Sequence, residues 1–132
     1  MEAYAEAAVL VAAEEHGMTL DYSADSVARL ETVLAARIPV PEAQLGEAVK
    51  MWGGYFGEVL RRRYQAEWLM AVYPGSQSAE AAPMAMPALD IGGSQVYPLL
   101  KVNRRLTLGP AEELSGFFQR VTQALDSRVK KD

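Results

Sequence analysis

The chain contains no cysteine and only one histidine, and these shortages exclude several kinds of site. Without cysteine there can be no disulfide, no thiolate nucleophile and no cysteine-ligated zinc or iron–sulfur centre. A metal centre built on several histidines is excluded in the same way. His16 precedes Gly17 at the predicted end of a helix, where a cation favours the helix dipole. We therefore interpret His16 as a capping or surface residue.

Motifs for acyl and phosphoryl chemistry are also absent. The sequence has no Gly-x-Ser-x-Gly elbow, no dinucleotide-binding glycine pattern and no phosphate-binding loop. Ser76 and Ser94 each follow a glycine in a predicted turn, where serine is ordinary turn chemistry. From these absences we expect no catalytic residue, no metal site and no cofactor.

Long apolar runs and strong positive charge are missing as well. The longest apolar run, residues 7–13, is far too short to span a bilayer, and the acidic N-terminus does not resemble a secretory signal. We expect a cytoplasmic protein that does not bind membranes. Residues 1–58 carry three bases and ten acids, whereas residues 59–132 carry ten bases and seven acids. This asymmetry favours attraction between the two halves, and a pI near 5.0 argues against nucleic-acid binding.

A length of 132 residues fits one domain over residues 1–132, and half of these residues are apolar, as is usual for a globular protein. The predicted class is α+β. Hydrophobic spacing and breaker residues predict about five helices packed on a small antiparallel sheet of about three strands. The predicted helices are 2–16, a helix capped by Ser23 that ends near Ile38, 42–64, 98–106 and 111–129. The predicted strands are 67–73, 88–91 and 94–97, with a Gly92-Gly93 hairpin turn and a mobile loop at 74–86. The small alanine face of residues 1–17 indicates a loosely docked N-terminal helix.

The predicted helix at 42–64 contains glycines that its helical structure does not favour. Each glycine inside a helix costs about 1 kcal/mol relative to alanine. Gly53, Gly54 and Gly57 lie close together, and Gly46 is roughly aligned with Gly53 and Gly57. We expect these glycines to allow close approach of another backbone beside an aromatic ridge that includes Trp52. Gly53, Gly57 and Trp52 are thus assigned structural roles.

Three short motifs follow one another along this framework. They are Leu20-Asp21-Tyr22-Ser23 with Ser26 and Leu30, then Gly54-Tyr55-Phe56-Gly57-Glu58-Val59 with Arg61 and Trp68, then Val96-Tyr97-Pro98 with Val102 and Arg105. Over residues 18–120 this set resembles a family of small bacterial domains of unknown function. In that family a Gly-Tyr-x-Gly-Glu helix precedes a tryptophan strand and a hairpin ending near proline. The resemblance implies an α+β fold of bacterial origin and an immunity-like or accessory role.

Glu58 is the most informative carboxylate, and three interpretations of it stay open. It could form a surface ion pair with Arg61 and Arg62, one turn further along the helix. It could instead be a buried acid bonded to the backbone of the tryptophan strand. A catalytic role would require a second carboxylate, and the candidates for that partner are Asp21, Glu67 and Asp90.

Two functions remain as hypotheses. The first is a non-enzymatic interaction or accessory domain that binds a protein partner through the hairpin, the 74–86 loop and Trp68. The alternative is a small anionic-ligand-binding or weakly catalytic domain, with a cleft near Glu58, Arg62 and Tyr97. Self-association through residues 2–16 is a third possibility. The candidate binding residues are Glu58, Arg62, Trp68, Tyr97, Arg104 and Arg105.

Overall fold

Three helices, a small sheet and two further helices follow one another along the chain in the computed structural model, which describes residues 1–72 and 85–129. The helices are α1 (Glu2–His16), α2 (Ala24–Arg37), α3 (Glu42–Tyr64), α4 (Pro98–Leu108) and α5 (Leu114–Val129). The strands are β1 (Glu67–Val72), β2 (Ala85–Ile91) and β3 (Ser94–Val96), which form one antiparallel sheet in the order β1-β2-β3. The predicted α+β class is therefore confirmed, with five helices and three strands in the described part of the chain.

Several helix ends follow from local chemistry. Gly17 ends α1 in the left-handed conformation with φ of 63°. Ser23 caps α2, because its Oγ accepts a hydrogen bond from the backbone N–H of Ser26. The last helix begins at Leu114 rather than at 111, since residues 110–112 form a separate 3-10 turn. Helix α4 ends at Leu108, two residues beyond the predicted end, and Gly109 with its positive φ follows it.

The sheet register confirms the predicted hairpin and corrects where its first strand begins. Gly92 and Gly93 both have positive φ, and Leu89 lies opposite Val96. Strand β2 begins at Ala85, so residues 85 and 86 belong to the sheet and not to the predicted loop. Pro87 is tolerated because it lies outside the stretch of β2 that β3 covers. The rest of that loop, and Tyr73, lie outside the described residues.

Helix α3 is the centre of the packing because its glycines admit three neighbours. A Cβ at Gly53 would lie 2.8 Å from Cα of Leu99 in α4, and a Cβ at Gly57 would overlap the Trp68 ring of β1. A Cβ at Gly54 would lie 3.1 Å from Cβ of Tyr4 in α1. The expectation for Gly46 was wrong, since a Cβ there would meet nothing within 4 Å and the residue is exposed.

The small face of α1 lies against α3. Ala5, Ala8 and Ala12 have no exposed surface and belong to the same core as Trp52. Small side chains allow the two helices to approach closely, and this is the packing that Gly54 permits. The face considered above for self-association is thus already covered within the chain.

Tyr55 connects α3 to the start of α2 and accounts for the motif around Ser23. Its hydroxyl accepts the backbone N–H of Tyr22 at 2.9 Å and donates to Oγ of Ser26 at 2.7 Å. Ser26 Oγ in turn donates to the carbonyl of Ser23. A buried tyrosine needs such partners, and this network supplies them. It also fixes the angle at which the chain enters α2.

Candidate functional site

Glu58 is a fully buried carboxylate that joins α3 to β1. Its Oε2 accepts hydrogen bonds from Nε of Arg61 at 2.6 Å and from the indole Nε1 of Trp68 at 2.8 Å. The structure combines two of the interpretations, since the acid is buried and also pairs with Arg61 and Arg62. Its partner on the strand is the Trp68 side chain and not the backbone. Burial raises the pKa of Glu58, but the hydrogen bonds from Arg61 and Trp68 and the charge of Arg62 together lower it. Glu58 therefore remains ionised and holds the Trp68 ring against Gly57.

Arg62 pairs with Glu58 and also lies over the ring of Tyr22. Its guanidinium carbon is 3.5 Å from the centre of the Tyr22 ring, and its Nε is 3.5 Å from Glu58 Oε1. Arg62 lines a shallow cavity together with Tyr22 and Ser23 at the start of α2. Tyr97 lines another cavity, so the structure does not bring Glu58, Arg62 and Tyr97 together in one cleft.

Arg105 is a structural residue in the core. Its Nη2 lies 2.7 Å from Oε2 of Glu31, and its side chain is 5% exposed. The other oxygen of Glu31 accepts the backbone N–H of Leu114 at 2.9 Å. One carboxylate of α2 therefore holds both α4 and the first turn of α5. Adjacent residues of a helix project in different directions, and Arg105 does not share a surface with Arg104.

A basic cleft lies where β3, α4 and α5 meet, and it has a volume of about 230 Å³. Its lining residues are Gln95, Val96, Tyr97, Leu100, Lys101, Arg104, Phe117 and Val121. Besides Gln95, the polar groups come from Tyr97, Lys101 and Arg104, whose spacing of four and three residues places them along one side of α4. Of the candidate binding residues, Tyr97 and Arg104 are the two that this cleft brings together.

Side-chain contacts position two of the polar groups of the basic cleft. The hydroxyl of Tyr97 lies 2.8 Å from Oε1 of Gln95 and 3.3 Å from the carbonyl of Val72, so it has a choice of two acceptors. The ammonium of Lys101 lies 5.0 Å from the centre of the Phe117 ring, at a distance that suits a cation–π contact. The cleft therefore combines cationic groups with an aromatic and aliphatic wall.

A carboxylate of the chain itself is already bonded to Lys101, although Glu112 does not itself line the cleft. Oε2 of Glu112 lies 2.7 Å from Nζ of Lys101, whose side chain is 9% exposed. The hydrogen bond from Lys101 is the main reason that the pKa of Glu112 is lowered, and the charges of Lys101, Arg104 and Arg120 act in the same direction. Lys101 thus bonds Glu112 directly, while Arg104 and Arg120 act on it through their charge.

Sequence reasoning missed Lys101, Glu112 and Phe117. The spacing of Tyr97, Lys101 and Arg104 is a signal that would have found Lys101, since it places all three on one helical face. Glu112 and Phe117 have no comparable signal because a turn and another helix bring them in.

A larger cavity of about 690 Å³ lies between α1, the end of α2 and the start of α3. Trp52 lines it and is almost completely buried, and its Nε1 has no hydrogen-bond partner among the described residues. The guanidinium of Arg37 lies 5.5 Å from the centre of the Trp52 ring. This cavity has mostly apolar walls, and its polar residues are Tyr4, His16, Arg37, Gln44 and Glu47. Their mixed charges do not favour a ligand of one sign.

Residues 1–72 and 85–129 contain neither a metal-binding cluster nor a membrane-spanning helix. In this part of the chain, no set of three or more histidine and acidic side chains is placed to hold a metal ion. Every helix there is too short or too polar to cross a membrane. No protein-family model, curated protein or solved structure matches the chain, so its function has to be inferred from its own residues.

Proposed function

We propose that this chain is a non-enzymatic interaction domain whose basic cleft binds an acidic segment of a protein partner. The observation that carries the proposal is the carboxylate of Glu112 on Lys101, with Arg104 nearby. A site that holds one carboxylate through a hydrogen-bonded ammonium group has the chemistry to hold another. Tyr97 adds a hydroxyl group on the same side of α4.

The size of the basic cleft favours a side chain of a partner over a free metabolite. Pockets for drug-sized ligands generally enclose about 300–1,000 Å³, and this cleft measures about 230 Å³. It has room for one apolar anchor against Phe117 and Val121, with an acidic group at Lys101 and Arg104. An extended peptide with alternating acidic and apolar residues would meet both requirements.

The environment of Glu58 supports a role without catalysis. Both of its oxygens accept hydrogen bonds from Arg61, and Trp68 bonds one of them as well. An ionised carboxylate in this arrangement has little capacity left to exchange a proton with a substrate.

The test is a titration with two synthetic peptides. One carries glutamate on both sides of a leucine, and the other has glutamine in place of each glutamate. We expect the acidic peptide to bind in isothermal titration calorimetry, more weakly at high salt, and the neutral peptide not to bind. Failure of the acidic peptide to bind at millimolar concentration would refute the proposal.

Matched charge reversals locate the binding site. Arg104→Glu changes the charge at the cleft by two units, which should weaken binding about tenfold for a carboxylate several ångströms away in a water-like dielectric. Lys50→Glu makes the same change on α3, where Lys50 is exposed and pairs only with Glu47 among the described residues. Equal loss of affinity in the two variants would mean that the peptide responds to net charge and does not occupy the cleft.

A further inference from the structure

We infer that Glu112 is an internal competitor at the basic cleft, and that an acidic partner binds by taking over the ammonium group of Lys101. The inference rests on the proposed function, since it concerns how the same cleft is occupied in the absence of a partner. It predicts that affinity for acidic peptides is limited by a residue of the chain itself.

The geometry places the competition at Nζ of Lys101. This atom donates to Glu112 at 2.7 Å and lies near the Phe117 ring, which lines the cleft. An ammonium group has three protons. In the described residues, Glu112 is the one hydrogen-bond acceptor on Nζ. Although two of its protons have no acceptor in this part of the chain, the Lys101 side chain is only 9% exposed, so an incoming carboxylate has little room beside Glu112 and takes its place.

Glu112 can leave Lys101 without disturbing the core. It belongs to the 3-10 turn at residues 110–112, which contains no buried residue, and its own side chain is 28% exposed. Its neighbour Glu113 performs the structural task at this point, since Oε1 of Glu113 accepts the N–H of Gly116 in the first turn of α5. Movement of the Glu112 side chain would thus leave the start of α5 in place.

Electrostatics favour exchange of one carboxylate for another. Lys101, Arg104 and Arg120 all lower the pKa of Glu112, so their positive field extends over the same small region. While Glu112 occupies Lys101, its negative charge repels an acidic ligand. Once it is replaced or neutralised, this repulsion disappears and the charge of Lys101 acts on the ligand.

The experiment compares Glu112→Gln with Glu113→Gln, using the acidic peptide and the same calorimetric titration. Both substitutions remove one negative charge, but only position 112 bonds Lys101. Removing a charge several ångströms from the ligand should tighten binding by Glu112→Gln about three- to tenfold. For Glu113→Gln we expect a change of less than about twofold, since exposed charges are strongly screened. Equal affinities of Glu112→Gln and the unmodified chain, or an equal gain in both variants, would overturn the inference.

A second readout follows Glu112 in the unmodified chain. Carbon-13 NMR of its carboxyl group, with and without saturating acidic peptide, measures its titration directly. Release from Lys101 should raise its pKa towards the ordinary value of 4.5. An unchanged titration in the bound state would count against displacement.

The two proposals fail in different ways. If neither the unmodified chain nor the two glutamine variants bind the acidic peptide, the proposed function is refuted. If the peptide binds and Arg104→Glu weakens it, while Glu112→Gln has no effect, only the internal competition fails.

Discussion

Replacing Gly53 with alanine would put a carbon atom where the backbone of α4 already lies. The new Cβ would be 2.8 Å from Cα of Leu99 and 2.9 Å from its Cγ, well inside the usual carbon–carbon contact of about 3.5–4.0 Å. Because one obstructing atom is backbone, a side-chain rotation cannot relieve the clash, and α3 and α4 must separate. Overpacking costs about 1–3 kcal/mol, and the upper end applies here. After a gain of about 1 kcal/mol in helix propensity, the free energy of unfolding should fall by about 2 kcal/mol.

The matched control is Gly46→Ala in the same helix. A Cβ at Gly46 meets nothing within 4 Å, so the gain in helix propensity of about 1 kcal/mol is not offset. Urea unfolding followed by circular dichroism should therefore separate the two alanine variants by about 3 kcal/mol, with similar slopes. If Gly53→Ala is as stable as Gly46→Ala, the close approach of α3 and α4 is not the reason for glycine at position 53.

Three further substitutions test individual contacts. Glu58→Gln should lower the free energy of unfolding by about 2 kcal/mol at neutral pH, because it removes a charged acceptor from Trp68 and two arginines. The pKa of Glu58 is lowered below 4.5 in the folded state, so its stabilising effect is complete above pH 4.5 and is lost as the pH falls through the folded pKa. In urea unfolding, the difference in free energy between the unmodified chain and Glu58→Gln should therefore shrink from neutral to acidic pH. A difference that does not change with pH would contradict this. Glu31→Gln should lower the free energy of unfolding by about 3 kcal/mol, since it weakens the buried pair with Arg105. It should also speed hydrogen exchange at the amide of Leu114, which donates to Glu31. Unchanged exchange would show that Glu31 does not hold α5. Ser23→Ala should cost about 1 kcal/mol in thermal or urea unfolding through loss of the α2 cap, and an unchanged midpoint would contradict that role.

Local patterns in the sequence were sufficient for most of the fold. Periodic apolar residues and breakers such as Gly17 predicted the helices, and Gly92-Gly93 predicted the hairpin turn. Pairing across long separations could not be predicted in this way. Nothing near Arg105 indicates that its partner is Glu31, and nothing near Gly46 distinguishes it from Gly53.

The candidate site was only partly accessible from sequence for the same reason. Tyr97 and Arg104 were identified, but the importance of Lys101 depends on Glu112 and Phe117, which reach it from a turn and a separate helix. Trp68 and Glu58 were both identified, yet their direct bond depends on the space left by Gly57. In each case the deciding partner is set by tertiary packing and not by the spacing of residues in the chain.

The carboxylate of Glu31 has a consequence for recognition. One of its oxygens pairs with Arg105 of α4 and the other accepts the backbone N–H of Leu114 in α5. These two helices supply two walls of the basic cleft. Because α4 and α5 are held in place by Glu31, the cleft keeps the same width in the absence of a partner. The protein then loses little conformational entropy when a peptide binds, so a small number of contacts is sufficient for measurable affinity.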